Sequence, residues 1–180
     1  VQAEIAGRKA NTKLSERARS AHGIQEWLND ALMRGGEAIY GEPDIAVPEN
    51  ARKSLQSKYV LKVLALAHLG RTTSSISDED YPSGALALAA TAVQRAFQWR
   101  RDDQPRGLKP MAFSSTNVGE ATGFWRDKAV KELLEKLHRF DQLLENAVAL
   151  IETPAIKTAK PSGAKALALD MYVRERSSSP

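Results

Sequence analysis

The stretch Tyr81–Gln104, YPSGALALAATAVQRAFQWRRDDQ, decides how the chain folds. Ala85, Ala87, Ala89, Ala90, Ala92 and Ala96 keep a helix surface thin, and Leu86, Val93 and Phe97 form one apolar stripe along it. A thin surface lets a second helix approach closely. Pro82 is tolerated in a first helical turn, where its missing N–H has no intrahelical partner, and Asp80 or Ser83 supplies a cap. The stretch therefore predicts a buried central helix. Its far end carries Arg95, Trp99, Arg100 and Arg101, which asks whether that end touches a partner.

On the N-terminal side, apolar residues from Tyr59 to Leu69 cover more than one helix face, which predicts a second buried helix over about 49–69, ended by Gly70. Helices two and three are expected to pair as the central layer. The first helix is expected over about 15–39, with Leu14, Ala18, Ala21, Ile24, Leu28 and Ala31 at spacings of three and four and Trp27 widening the stripe. Gly35-Gly36 marks a break before Tyr40. The stretches 41–48 and 71–80 read as loops, the first holding two prolines.

On the C-terminal side, 102–123 reads as a long loop, with Thr116 or Asn117 capping the next helix. Val130, Leu133, Leu137, Phe140, Leu144, Ala147 and Ile151 form a seam that predicts one helix over about 119–152. Such a seam packs inside its own bundle or pairs two chains, so a homodimer through 130–151 stays open. Pro154 ends the helix, 155–163 is a linker, and 164–176 places Leu167, Met171 and Tyr172 on one side of a short helix that docks or awaits a partner. The fold expected is all-α: a single-domain bundle of about five helices, with a long loop before the longest. The division is a basic N-terminal arm over 1–14, the bundle over 15–152, and a linker with a basic C-terminal segment over 153–180.

Composition agrees with a folded domain. The 180 residues are 42% hydrophobic and 27% charged, with a formal charge of +4. The positive excess sits at the ends. Residues 1–20 hold Arg8, Lys9, Lys13, Arg17 and Arg19 against Glu4 and Glu16, and 157–180 hold five cations against Asp170 and Glu175. Basic ends serve as solvated tails or as nucleic-acid arms. Cysteine is absent, which excludes disulfides, thiolate nucleophiles and cysteine-ligated metals. No apolar run approaches the roughly 20 residues that cross a bilayer. No secretory signal is visible, and the start at Val1 suggests a longer parent protein. These features together suggest an intracellular protein, nuclear or cytoplasmic.

The order KYVLKVLALAHL (58–69), YPSGALALAATAVQRAF (81–97) and FSSTNVGEATGFW (113–125) resembles a helical domain of unassigned activity that recurs in large families of mushroom-forming fungi. The likeness runs from about Lys58 to Leu144. It implies an all-helical basidiomycete domain and no particular activity, cofactor or site.

Tests for chemistry return little. Glu135-x-x-His138 has the spacing of a di-iron ligand pair, but the second pair such sites need is missing: Arg19 and Ala65 stand three residues before His22 and His68. No nucleophile elbow, phosphate-binding loop or dinucleotide fingerprint occurs. Asp78-Glu79-Asp80 reads as helix-capping carboxylates or as a Mg²⁺ site, and the first is the simpler. No cofactor and no metal site is expected. The strongest interaction feature is Arg95, Trp99, Arg100, Arg101, Arg106 and Lys109, a mix of cations and an aromatic suited to phosphates and base stacking. Against it stands the plainer view of a helix end whose cations complement the dipole. The reading is a non-enzymatic helical domain with a protein partner, with DNA binding through that cluster and the basic termini as the alternative. A site dispersed over His68, His138, Asp80 and Glu135 is the enzymatic one.

Overall fold

The computed structural model describes residues 1–69, 81–102 and 112–152. Helices form at α1 Gln2–Ala10, α2 Glu16–Arg19, α3 Ala21–Leu32, α4 Lys58–Val63, α5 Ser83–Arg101, α6 Ser115–Trp125, α7 Lys131–Leu134 and α8 Leu137–Glu152. α4 continues into a π-helical turn over Leu64–Leu69, and another, Arg126–Val130, joins α6 to α7. The fold is all-α, with more helices than the five expected. Among the described residues there is no strand, only an antiparallel bridge between Glu42 and Arg52.

α5 is the central helix, packed against α3, α4 and α6. Leu86, Ala87, Ala89, Ala90, Thr91, Val93 and Phe97 are buried along it, as its alanine-thin stripe predicts. The pairing of α4 with α5 also stands. The α5 cap differs from expectation: Pro82 holds the capping position without a side-chain bond, Ser83 is already helical, and Asp80 lies outside the described residues. Buried Thr91 donates to the Ala87 carbonyl (2.9 Å) and meets the Thr122 hydroxyl (3.3 Å), tying α5 to α6.

The single helix expected over 15–39 is broken at Ser20. Its hydroxyl accepts from Gly23 N–H (3.1 Å) and so starts a new helix. Gly23 allows the turn: a Cβ there would strike the Arg17 carbonyl oxygen and come within 2.8 Å of Ala18 Cα. α3 stops at Leu32, and Gly35 takes φ +79°, as the paired glycines foretell. The next helix does not begin at Glu49. Pro48–Asn50 is one 3₁₀ turn, and Lys53 and Leu55 adopt positive φ. α4 starts at Lys58 because buried Ser57 accepts from Val60 N–H (3.1 Å) while donating to the Ala38 carbonyl (2.7 Å).

The region read as a loop over 102–123 contains the start of α6 at Ser115. Neither Thr116 nor Asn117 is the cap. Ser114 holds that position, and Asn117 donates back to the Ala112 carbonyl (3.0 Å). The helix expected over 119–152 stops at Leu134 and resumes at Leu137. This break resets the helical phase. Phe140, Leu143 and Ala147 turn into the core beside Val130 and Leu133, while Leu137 is 47% exposed and Leu144 only half-buried. Of the seam over 130–151, Val130, Leu133, Phe140 and Ala147 lie in this chain's own core. Among the described residues no helix is long and apolar enough to cross a membrane. Gly70, Arg71–Asp80 and the segment 164–176 lie outside the described residues.

Candidate functional site

The basic end of α5 does not form one patch. Arg95 and Trp99, four residues apart, share a face, but each step adds about 100° of rotation, so Arg100 and Arg101 turn progressively away from it. Arg95 is half-buried, its guanidinium 5.7 Å from the Phe113 ring centre. Trp99 is half-buried, and Arg100 is exposed. Arg101 pairs with Asp102 (2.8 Å), and its carbonyl accepts from the Gln25 side chain of α3. Arg106 and Lys109 lie outside the described residues.

The dispersed enzymatic set does not assemble either. Glu135 and His138 are exposed at the α7–α8 break, His68 sits half-buried in the π turn, and Asp80 lies outside the described residues. Among the described residues no three His, Asp or Glu side chains come together to hold a metal.

What the chain does build is a groove of about 370 Å³ between α4 with its π turn and α5. Val63, Leu66 and Ala67 line it from the α4 side, Ala92 and Ala96 from α5, and Val1 lines it as well. Leu66 is 43% exposed, a large apolar side chain on the open wall. Two local causes make the groove. The alanines of α5 remove the side chains that would fill it. The π turn, wider than an α turn, displaces the α4 wall along Leu64–Leu69. Tyr59 and Lys62 complete its rim.

Val1, which precedes α1, is one of the residues lining this groove. Val1, Glu4, Ile5 and Arg8, at i, i+3, i+4 and i+7, share one helix face. Val1 and Ile5 pack partly buried on the core. Glu4 pairs with Lys58 (3.0 Å), and Arg8 pairs with Glu37 (3.4 Å) while its guanidinium lies 4.2 Å above the Trp27 ring centre. Glu37 also accepts from the Trp27 indole N–H. Below this, Phe97 meets Trp27 and Tyr59, with ring centres 5.5 Å and 5.0 Å apart. Burial, then the carboxylates of Glu37 and Glu4, push the Tyr59 phenol above its ordinary pKa. Residues read as a basic arm thus form a docked helix.

The groove was hidden in the sequence by the feature that announced the core. Apolar residues around most of 59–69 read as a helix buried on every side, and Ala92 and Ala96 read as packing surface. The signal that distinguishes them is phase: Leu66 falls opposite buried Leu64, and Ala92 and Ala96 flank the stripe of buried Leu86 and Phe97, about 80–140° round the helix from it. Compared with protein-family profiles, with curated proteins and with solved structures, the chain finds no match.

Proposed function

We propose that the chain is a non-enzymatic interaction domain that receives an amphipathic helix of a protein partner in the groove between α4 and α5. One observation carries this: an apolar groove with exposed Leu66 among its lining residues opens between α4 and α5, and Val1 and Tyr59, which line it, also belong to the packing around the amphipathic helix α1. A helix lying in a groove reads through anchors at i, i+3, i+4 and i+7, the arrangement α1 already displays. The likeness to fungal helical domains over Lys58–Leu144 supports a fungal origin, and the absence of cysteine fits an intracellular setting.

The test is a fluorescein-labelled amphipathic peptide of about five helical turns, with leucines along one face, titrated by fluorescence anisotropy. Binding is expected, and Leu66→Glu and Ala96→Trp, which charge and fill the groove, are expected to abolish it. Both changes sit on the surface and should leave stability within about 0.5 kcal/mol. Equal binding by the filled variants would remove the reading. The nucleic-acid alternative rests on the face shared by Arg95 and Trp99 and on the basic termini. It requires duplex affinity that falls steeply with salt and falls again in Arg95→Ala.

A further inference from the structure

The groove between α4 and α5 is apolar, and two cations attend it. Tyr59 meets Phe97 edge-on, with ring centres 5.0 Å apart, so the start of α4 lies beside the end of α5. Lys62 follows Tyr59 by three residues and lines the groove. Arg100 follows Phe97 by three residues. At about 100° per residue its bearing falls between those of Val93 and Ala96, both lining residues. Each helix thus brings one cation to the groove within a turn of the Tyr59–Phe97 contact. Lys62 and Arg100 are exposed, and neither has an ion-pair partner among the described residues, whereas neighbouring Lys58 is held by Glu4 at 3.0 Å. No described Asp or Glu lines the groove. Unpaired cations beside an apolar trough leave its local field positive, which draws carboxylates and turns away other cations.

We infer that the helix received in this groove is acidic, its apolar stripe flanked on both sides by Asp or Glu. This inference rests on the proposed interaction role and names the chemistry of the partner. A helix lying between α4 and α5 turns one flank to each of them. Lys62 stands on the first and Arg100 on the second, so each flank of the partner meets a cation. The apolar anchors of the partner meet Val63, Leu66 and Ala92, and its carboxylates meet Lys62 and Arg100. Both cations keep contact with water, so each pair adds little hold. What the pairs supply is selection. A basic helix with the same stripe buries the same apolar surface but meets like charge on both flanks.

The probes are three fluorescein-labelled peptides that share one leucine stripe and carry Glu, Gln or Lys on its two flanks. Each is titrated against the full chain by fluorescence anisotropy at about 0.05 M salt. The Glu peptide is expected to bind tightest and the Lys peptide weakest, with about tenfold in Kd between them. The gap should narrow at about 0.5 M salt. In the chain carrying Lys62→Glu and Arg100→Glu the order should invert. Lys62→Glu alone should shift it in the same direction should the double variant fold poorly. A second chain, carrying Lys128→Glu and Lys131→Glu, makes the same change in net charge at exposed residues that do not line the groove, and should keep the original order. Equal binding of the three peptides, or an equal shift in both double variants, overturns the acidic partner and leaves the groove as a docking site. Failure of all three peptides to bind overturns both.

Discussion

At the scale of single residues, Tyr59 joins three parts of the molecule: the core through Phe97, the rim of the groove, and the underside of α1. Its hydroxyl is buried with no hydrogen-bond partner among the described residues. Tyr59→Phe should therefore leave stability unchanged or raise it by roughly 1 kcal/mol in chemical denaturation at neutral pH. The pH dependence has a definite sign. The folded chain holds the phenol proton more tightly than the unfolded chain, which gives it up near pH 10. The stabilising share is whole below that pH and is lost as pH rises through it towards the folded value. Denaturation at about pH 8 and about pH 11 should show the advantage of Tyr59→Phe growing at the higher pH. Gly23 is the second decisive residue. Gly23→Ala forces α2 away from α3 and should cost about 1–3 kcal/mol, read as a lower melting temperature, because the obstruction is backbone and cannot swing aside.

Helices test the packing argument more sharply. Ala89 and Ala90 have no exposed surface at the centre of α5, so Ala90→Leu should overpack the bundle and cost about 1–3 kcal/mol. The break after Leu134 makes two leucines of α8 unequal. Leu143→Ala should cost about 2–5 kcal/mol, whereas Leu137→Ala should cost under about 0.5 kcal/mol. Equal losses would mean that the uninterrupted seam describes the folded chain better. The sequence pointed to Leu137 and Leu144 because unbroken spacings of three and four run through them. No proline or glycine near Glu135 and Lys136 announces the interruption. It is set by what α8 must cover, since Phe140 stacks on Tyr81 at 4.7 Å between ring centres and Asn146 reaches Gln56. Helices start where a hydroxyl does local work: Ser15, Ser20 and Ser57 each accept from a backbone amide three residues on, and of these only the start near Ser15 was legible in the sequence.

Across the whole molecule, the all-α class and the central place of α5 were legible because one alanine-rich stretch specifies both thinness and stripe. The candidate site was not legible. Arg95, Trp99, Arg100 and Arg101 adjoin in sequence but diverge around the helix axis, while the groove joins residues some thirty positions apart and becomes visible only when α4 and α5 lie side by side. The basic excess of the first twenty residues also changes meaning in three dimensions. Arg8 is paired with Glu37 and Arg17 with Glu26, so part of that charge is neutralised within the fold. Raising salt from about 0.05 M to about 0.5 M should screen the exposed pairs at α1. Hydrogen exchange should then quicken at Gln2–Ala10 before it changes in the middle of α5.

The turn over Leu64–Leu69 has an evolutionary consequence. A backbone that closes its hydrogen bonds five residues back holds one residue beyond the regular count. Excising Ala67 should let this stretch rewind to an ordinary spiral, with little change in helical circular dichroism. It should also swing the Leu66 side chain to a new bearing, so that a peptide fitted to the cleft no longer finds its wall. A lineage could thus lose or remake its recognition by a single codon deletion while keeping the body of the bundle.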